Sequence, residues 1–174
     1  MRIAIMAVAG LPMMALAGCS NESAPAAAPA VETAKSLAAG QYEVSTKVED
    51  LRSTDHTTPL TKAKLATASS SPVVHRACVA EDGSIAADMF AEAGDKCKTE
   101  NSYVRGGKIN LQLSCTRSGA AGQVLQSIAG EYTADSFTAT VNTGTYFAGA
   151  GDYAMRRTMT AKRVGSCPSQ EKAG

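Results

Sequence analysis

Residues Lys108–Thr116 read KINLQLSCT. Ile109, Leu111, Leu113 and Cys115 alternate with Asn110, Gln112 and Ser114. A period of two with one polar face is the pattern of an antiparallel strand buried on one side. Arg105-Gly106-Gly107 stands just before it as a glycine turn, and Lys98–Tyr103 lies before that turn. Together they predict a β-hairpin.

The same pattern extends outward in both directions. Gly122–Thr133 and Phe137–Tyr146 flank Ala134-Asp135-Ser136, a second hairpin. Asp152–Val164 reads as the last strand, with Tyr153, Met155, Met159 and Ala161 on one face. Upstream, Tyr42, Val44, Thr46 and Val48 alternate with Glu43, Ser45 and Lys47, and Val73–Val79 (VVHRACV) reads as a further strand. Leu51–Ser71 is polar and predicts a long loop with at most a weak strand near Lys64–Thr67. Ser84–Ala93 predicts a helix: Ser84 caps it, Ile85, Met89 and Phe90 form a stripe, and Gly94 ends it. The expected fold is mainly β, a curved antiparallel meander of about six to seven strands with one short helix packed near it.

Composition bounds the function. The chain has 174 residues, 44% hydrophobic and 19% charged, which is globular and not disordered. Two His and five Cys, without a C-x-x-C-H run, exclude c-type haem attachment and a polyhistidine metal site.

Met1–Gly18 carries Arg2 and then an apolar stretch from Ile3 to Ala17, broken by Gly10 and Pro12. That is too short and interrupted to span a membrane and suits a secretory signal. It closes on Leu16-Ala17-Gly18-Cys19, which looks like a bacterial lipobox. Cys19 is then the lipid attachment site and the mature N-terminus, and the membrane is a partner through that lipid. Ser20 after it resembles the outer-membrane sorting signal of Gram-negative lipoproteins. The expected location is the cell envelope, at the periplasmic face of the outer membrane. Removing Met1–Gly18 takes away one of the 17 basic residues and none of the 16 acids, so the mature chain is neutral. Neutrality argues against nucleic acid as a partner. Residues 19–39 form the lipidated cysteine and an Ala/Pro-rich flexible tether. The β domain is expected over residues 40–168 and a polar tail over 169–174.

Four cysteines remain: Cys78, Cys97, Cys115 and Cys167. An even number in an exported chain predicts two disulfides. A turn centred on Gly106 sets Cys97 opposite Cys115, leaving Cys78 for Cys167. Cys78–Cys97 with Cys115–Cys167 is the rival pairing, because the first bond would bracket the helix. No C-x-x-C pair is present, so zinc is not expected, and no cofactor is implied.

The sequence carries few candidate catalytic groups. Asp55-His56 could suggest a base and its orienter, but neighbours in sequence point apart, and a solvated pair is the simpler reading. His75 reads as a sheet histidine. No G-x-S-x-G elbow occurs, and the G-x-G of Gly144–Gly151 opens no helix. Tyr146 and Phe147 sit there among small residues and could form a contact loop. Arg156, Arg157, Lys162 and Arg163 make the last strand basic, read as a solvated face or a contact for anionic head groups.

Several landmarks carry a family resemblance. They are Gly40-Gln41-Tyr42-Glu43, Cys78-Val79, Gly94-Asp95-Lys96-Cys97, the strand ending at Cys115, and Gly165-Ser166-Cys167-Pro168. With them the chain resembles DUF3617, a bacterial exported family, from Gly40 to Pro168. The resemblance implies export and a cysteine-bearing β domain, and no activity. This chain departs from it in lacking Trp and in the long polar stretch Leu51–Ser71.

The functional expectation is a membrane-anchored periplasmic binding or envelope accessory module, not an enzyme. A small apolar or acyl ligand would lie against Tyr42, Val44, Leu111, Leu113, Met155 and Met159. The alternative is a protein-interaction module using an edge strand or the Tyr146–Phe147 loop. An enzyme is the distant third.

Overall fold

The structure, a computed structural model, describes residues 36–56 and 72–168. Cys19, the signal segment, most of the tether, the stretch around Lys64–Thr67 and the tail from residue 169 lie outside them. Seven strands form one antiparallel sheet: β1 (Gly40–Ser53), β2 (Val73–Val79), β3 (Asp95–Arg105), β4 (Lys108–Arg117), β5 (Gly122–Tyr132), β6 (Ser136–Phe147) and β7 (Tyr153–Gly165). Their spatial order is β2-β1-β7-β6-β5-β4-β3. The sheet curls into a half-barrel, so the mainly β meander expected from the alternation is what forms.

Alternation decides which face is inside. On β4 Ile109, Leu111, Leu113 and Cys115 are buried, and on β6 Phe137, Ala139 and Val141 are. These join Tyr42, Val44, Ile128 and Met159 in a single core. Leu37, read from sequence as tether, is 1% exposed within that core. Ala38 N–H also donates to the Ala134 carbonyl at 2.8 Å, so the folded unit begins before Gly40.

Two sequence expectations change. First, β1 runs on through Leu51 to Ser53, where a loop was expected. A register shift between Val48 and Asp50 inserts one residue, and Leu51 then sits opposite Met155. A bulge of this kind breaks strict period two, so a strand that reads Tyr42, Val44, Thr46, Val48 continues with the opposite parity.

Second, Ser84–Ala93 is not a helix. It holds one 3-10 turn, Ala87–Met89, preceded by Ala86 in an extended conformation. Ser84 makes no side-chain cap; its N–H instead donates to the Asp82 carboxylate at 2.8 Å. Ten residues are too few to offset helix nucleation without packing. Here the packing wants only one turn, which buries Met89 and Phe90 against the sheet. The Phe90 ring lies 5.8 Å from that of Phe137.

Both disulfides, Cys97–Cys115 and Cys78–Cys167, are formed. The first arises in an unforeseen way. Gly106 and Gly107 both have positive φ, 57° and 76°, as a two-residue hairpin turn requires. That turn alone would set Cys97 opposite Thr116. A bulge at Glu100 shifts the register by one and brings Cys97 onto Cys115.

Candidate functional site

The end of the sheet where β3 begins and β4 finishes holds a group of charged side chains. Register places Asp95 directly opposite Arg117. The Arg117 guanidinium donates to both Asp95 oxygens, Nε at 2.6 Å and Nη2 at 2.8 Å. The Asp95 side chain is 0% exposed, so this is a buried, bidentate ion pair. Arg117 Nη1 also donates to the Tyr153 hydroxyl at 2.8 Å. That hydroxyl in turn donates to Glu92, whose carboxylate oxygens lie 2.8 and 3.0 Å away. Glu92 stands 3.5 Å from Arg117. The Phe147 and Tyr153 rings flank the guanidinium at 5.6 and 5.7 Å.

The electrostatics follow from this geometry. Hydrogen bonding to Asp95 holds Arg117 above its ordinary value, against the opposing effect of burial. Burial, then the Glu92 carboxylate, raises the Tyr153 phenol above its usual 10.0. Tyr153 is fixed further by Thr145, whose hydroxyl accepts from the Tyr153 N–H at 2.8 Å.

The sequence places Arg157 on a basic strand that is either a solvated face or a contact for anionic head groups. Arg157 is 5% exposed and points to the inner face with Tyr153, Met155, Met159 and Ala161. Its Nη2 donates to the Phe90 carbonyl at 2.8 Å, and its Nε has no partner among the described residues. Burial pushes this guanidinium below its ordinary value, opposed chiefly by Glu92. Gln126 and Thr143, cross-strand partners on β5 and β6, also carry buried side-chain atoms without a partner among the described residues.

Beside this network lies a cavity of about 610 Å³ between β1, β2, β7 and the segment after the 3-10 turn. Val48, Leu51, Val73, Ala91, Ala93 and Met155 give it apolar walls. Arg157, Glu92, Asp95, Asp88, His75 and Thr46 give it a polar side. Register explains the arrangement: Leu51 faces Met155, and Val48 faces Arg157.

Of the six residues expected to face a ligand, only Met155 lines this cavity. Tyr42, Val44, Leu111, Leu113 and Met159 are instead packed in the core. Sequence alternation identifies the inner face but cannot tell its filled part from its open part. The Tyr146–Phe147 loop is also corrected, because both residues belong to β6. Phe147 packs on the core while Tyr146 is 63% exposed. Asp55 does not orient His56. Its Oδ2 accepts the Gly151 and Asp152 N–H groups at 2.7 and 2.9 Å, tying β1 to the β6–β7 turn. His75 lies 3.3 Å through Nε2 from the Met89 carbonyl.

A family model described as "Protein of unknown function (DUF3617)" matches residues 37–167. The chain belongs to the DUF3617 family. The DUF3617 match begins at Leu37, the first core residue, and ends at Cys167, the last half-cystine. No curated protein and no solved structure matches the chain. The missed residues were Arg117, Asp95, Glu92 and Arg157. The signal for Arg157 was its parity with Met155 and Met159.

Proposed function

We propose that this DUF3617 protein is a lipid-anchored envelope protein whose β domain is a binding module for a small apolar or acyl ligand, and not an enzyme. The cavity carries this reading. Its volume of about 610 Å³ falls inside the roughly 300–1,000 Å³ typical of small-molecule sites, and half of its wall is aliphatic. Arg2, the apolar stretch and Leu16-Ala17-Gly18-Cys19 support an exported, acylated N-terminus at the periplasmic face of the outer membrane.

The test is native mass spectrometry of the chain from Ser20 onward, exported to a periplasm behind a signal without a lipobox. A reproducible extra mass that leaves on activation is the expected result and identifies the ligand class. A bare, oxidised chain would count against the carrier reading. A second reading, protein binding at the β2 edge, is favoured by one observation: Val73 and Val74 are 65% and 56% exposed there. The opposite edge, β3, is less suited to pairing, since it carries Lys96, Lys98, Glu100 and a bulge.

A further inference from the structure

We infer that the cavity selects an uncharged apolar ligand bearing a carbonyl, such as an acyl ester or amide, over the corresponding free acid. The inference deepens the proposed binding function and rests on it. Arg117 pairs with Asp95 and lies 3.5 Å from Glu92, and Arg157 shares the cavity wall with both acids, so two cations offset two anions before any ligand enters. Both Asp95 oxygens are engaged by Arg117, and Glu92 accepts from Tyr153. Asp88 adds a further acid to the cavity wall.

A ligand carboxylate would therefore bring an unbalanced negative charge into a partly desolvated space already walled by acids. Like charges at short range in such a medium repel strongly. Arg157 nevertheless has donor capacity to spare. A guanidinium carries five N–H bonds and no acceptor. Among the described residues Arg157 makes one hydrogen bond, to the neutral Phe90 carbonyl, and its buried Nε makes none. A ligand carbonyl can accept from this guanidinium without altering the charge balance. The alkyl part then lies along Met155, Leu51 and Val48, which border Arg157 on β7 and β1.

The test is displacement of Nile red, a neutral apolar dye, from the chain beginning at Ser20. The competitors are methyl decanoate, sodium decanoate and decane. Arg157→Met should weaken methyl decanoate about tenfold relative to decane, the loss of one hydrogen bond to a charged donor. Glu92→Gln should strengthen decanoate about tenfold relative to the ester, since it removes one repelling charge. Two results would overturn the selectivity while leaving the cavity in use. One is decanoate binding the unsubstituted chain as tightly as the ester. The other is Arg157→Met acting equally on ester and decane. Failure of the dye and all three competitors to bind would overturn the binding function itself. The Glu92→Gln arm stands even if Arg157→Met does not fold.

Discussion

The two ends of the inner face are built from different physics. At one end Tyr42, Phe90, Phe137 and Met159 pack as an apolar core, in which the Tyr42 hydroxyl donates to the Ala38 carbonyl at 2.8 Å. At the other, Arg117, Asp95, Glu92 and Tyr153 hold one another through directed, charge-assisted bonds. Non-directional burial tolerates small errors of placement, whereas a bidentate ion pair does not. The first end supplies bulk stability; the second supplies fixed positions. The cavity lies along their border, where Met155 and Arg157 stand two residues apart on β7.

The largest effect should come from opening the apolar end. Phe90→Ala removes a ring that is 0% exposed and should cost about 4 kcal/mol. For a domain of this size that lowers Tm by roughly 15 °C, read by calorimetry. Next in size is a break at the polar end. Arg117→Met strands the buried Asp95 carboxylate and should cost about 3 kcal/mol in denaturant unfolding. Adding Asp95→Leu should restore part of that loss, because the buried Asp95 charge is then gone and only Glu92 has lost its Arg117 neighbour. The core end offers no such rescue by a second truncation, and that difference sharpens the contrast.

The smallest effect is a pH dependence. Tyr153 has a folded pKa raised above 10.0, so the native state favours the neutral phenol. Its contribution is fully present below about pH 10 and is lost as pH rises through the folded value. Tyr153→Phe should cost about 1 kcal/mol at neutral pH through its lost hydrogen bonds. Unfolding compared at about pH 8 and about pH 11 should show a shallower loss for that variant. Tyr42 is shifted in the same direction by burial, so part of the alkaline loss persists.

Much of the fold is legible in the sequence, because strands buried on one face must alternate. The segments around Ile109–Cys115 and Phe137–Val141 do so without interruption. The alternation fails where a bulge intervenes, at Val48–Asp50, and Leu51 was lost to a loop for that reason. An apolar spacing of Ile85, Met89 and Phe90 fits a helix and a single buried turn equally well, and packing decides between them. The site was far less legible. Asp95 and Arg117 meet only through a register that includes the Glu100 bulge, which spacing does not reveal. Arg157 stood at an inward parity, but a charge among buried positions reads as surface until its partners are known. A turn centred on Gly106 lies half a residue from the true centre between Gly106 and Gly107, and the Glu100 bulge offsets that difference at Cys97–Cys115.

The Cys78–Cys167 bond has a mechanical consequence. Gln41 on β1 is paired with Cys78 on one side and Gly165 on the other, two residues before Cys167. β1 is thus an inner strand, laddered to β2 and β7, with a covalent strap joining its two neighbours. A pull along β1 from its N-terminal end would load both ladders in shear, many hydrogen bonds at once, and could not peel them one by one. The strap keeps the two neighbours from spreading as that load builds. The strand nearest the N-terminus of the described sheet is thus also the part of the sheet hardest to tear out.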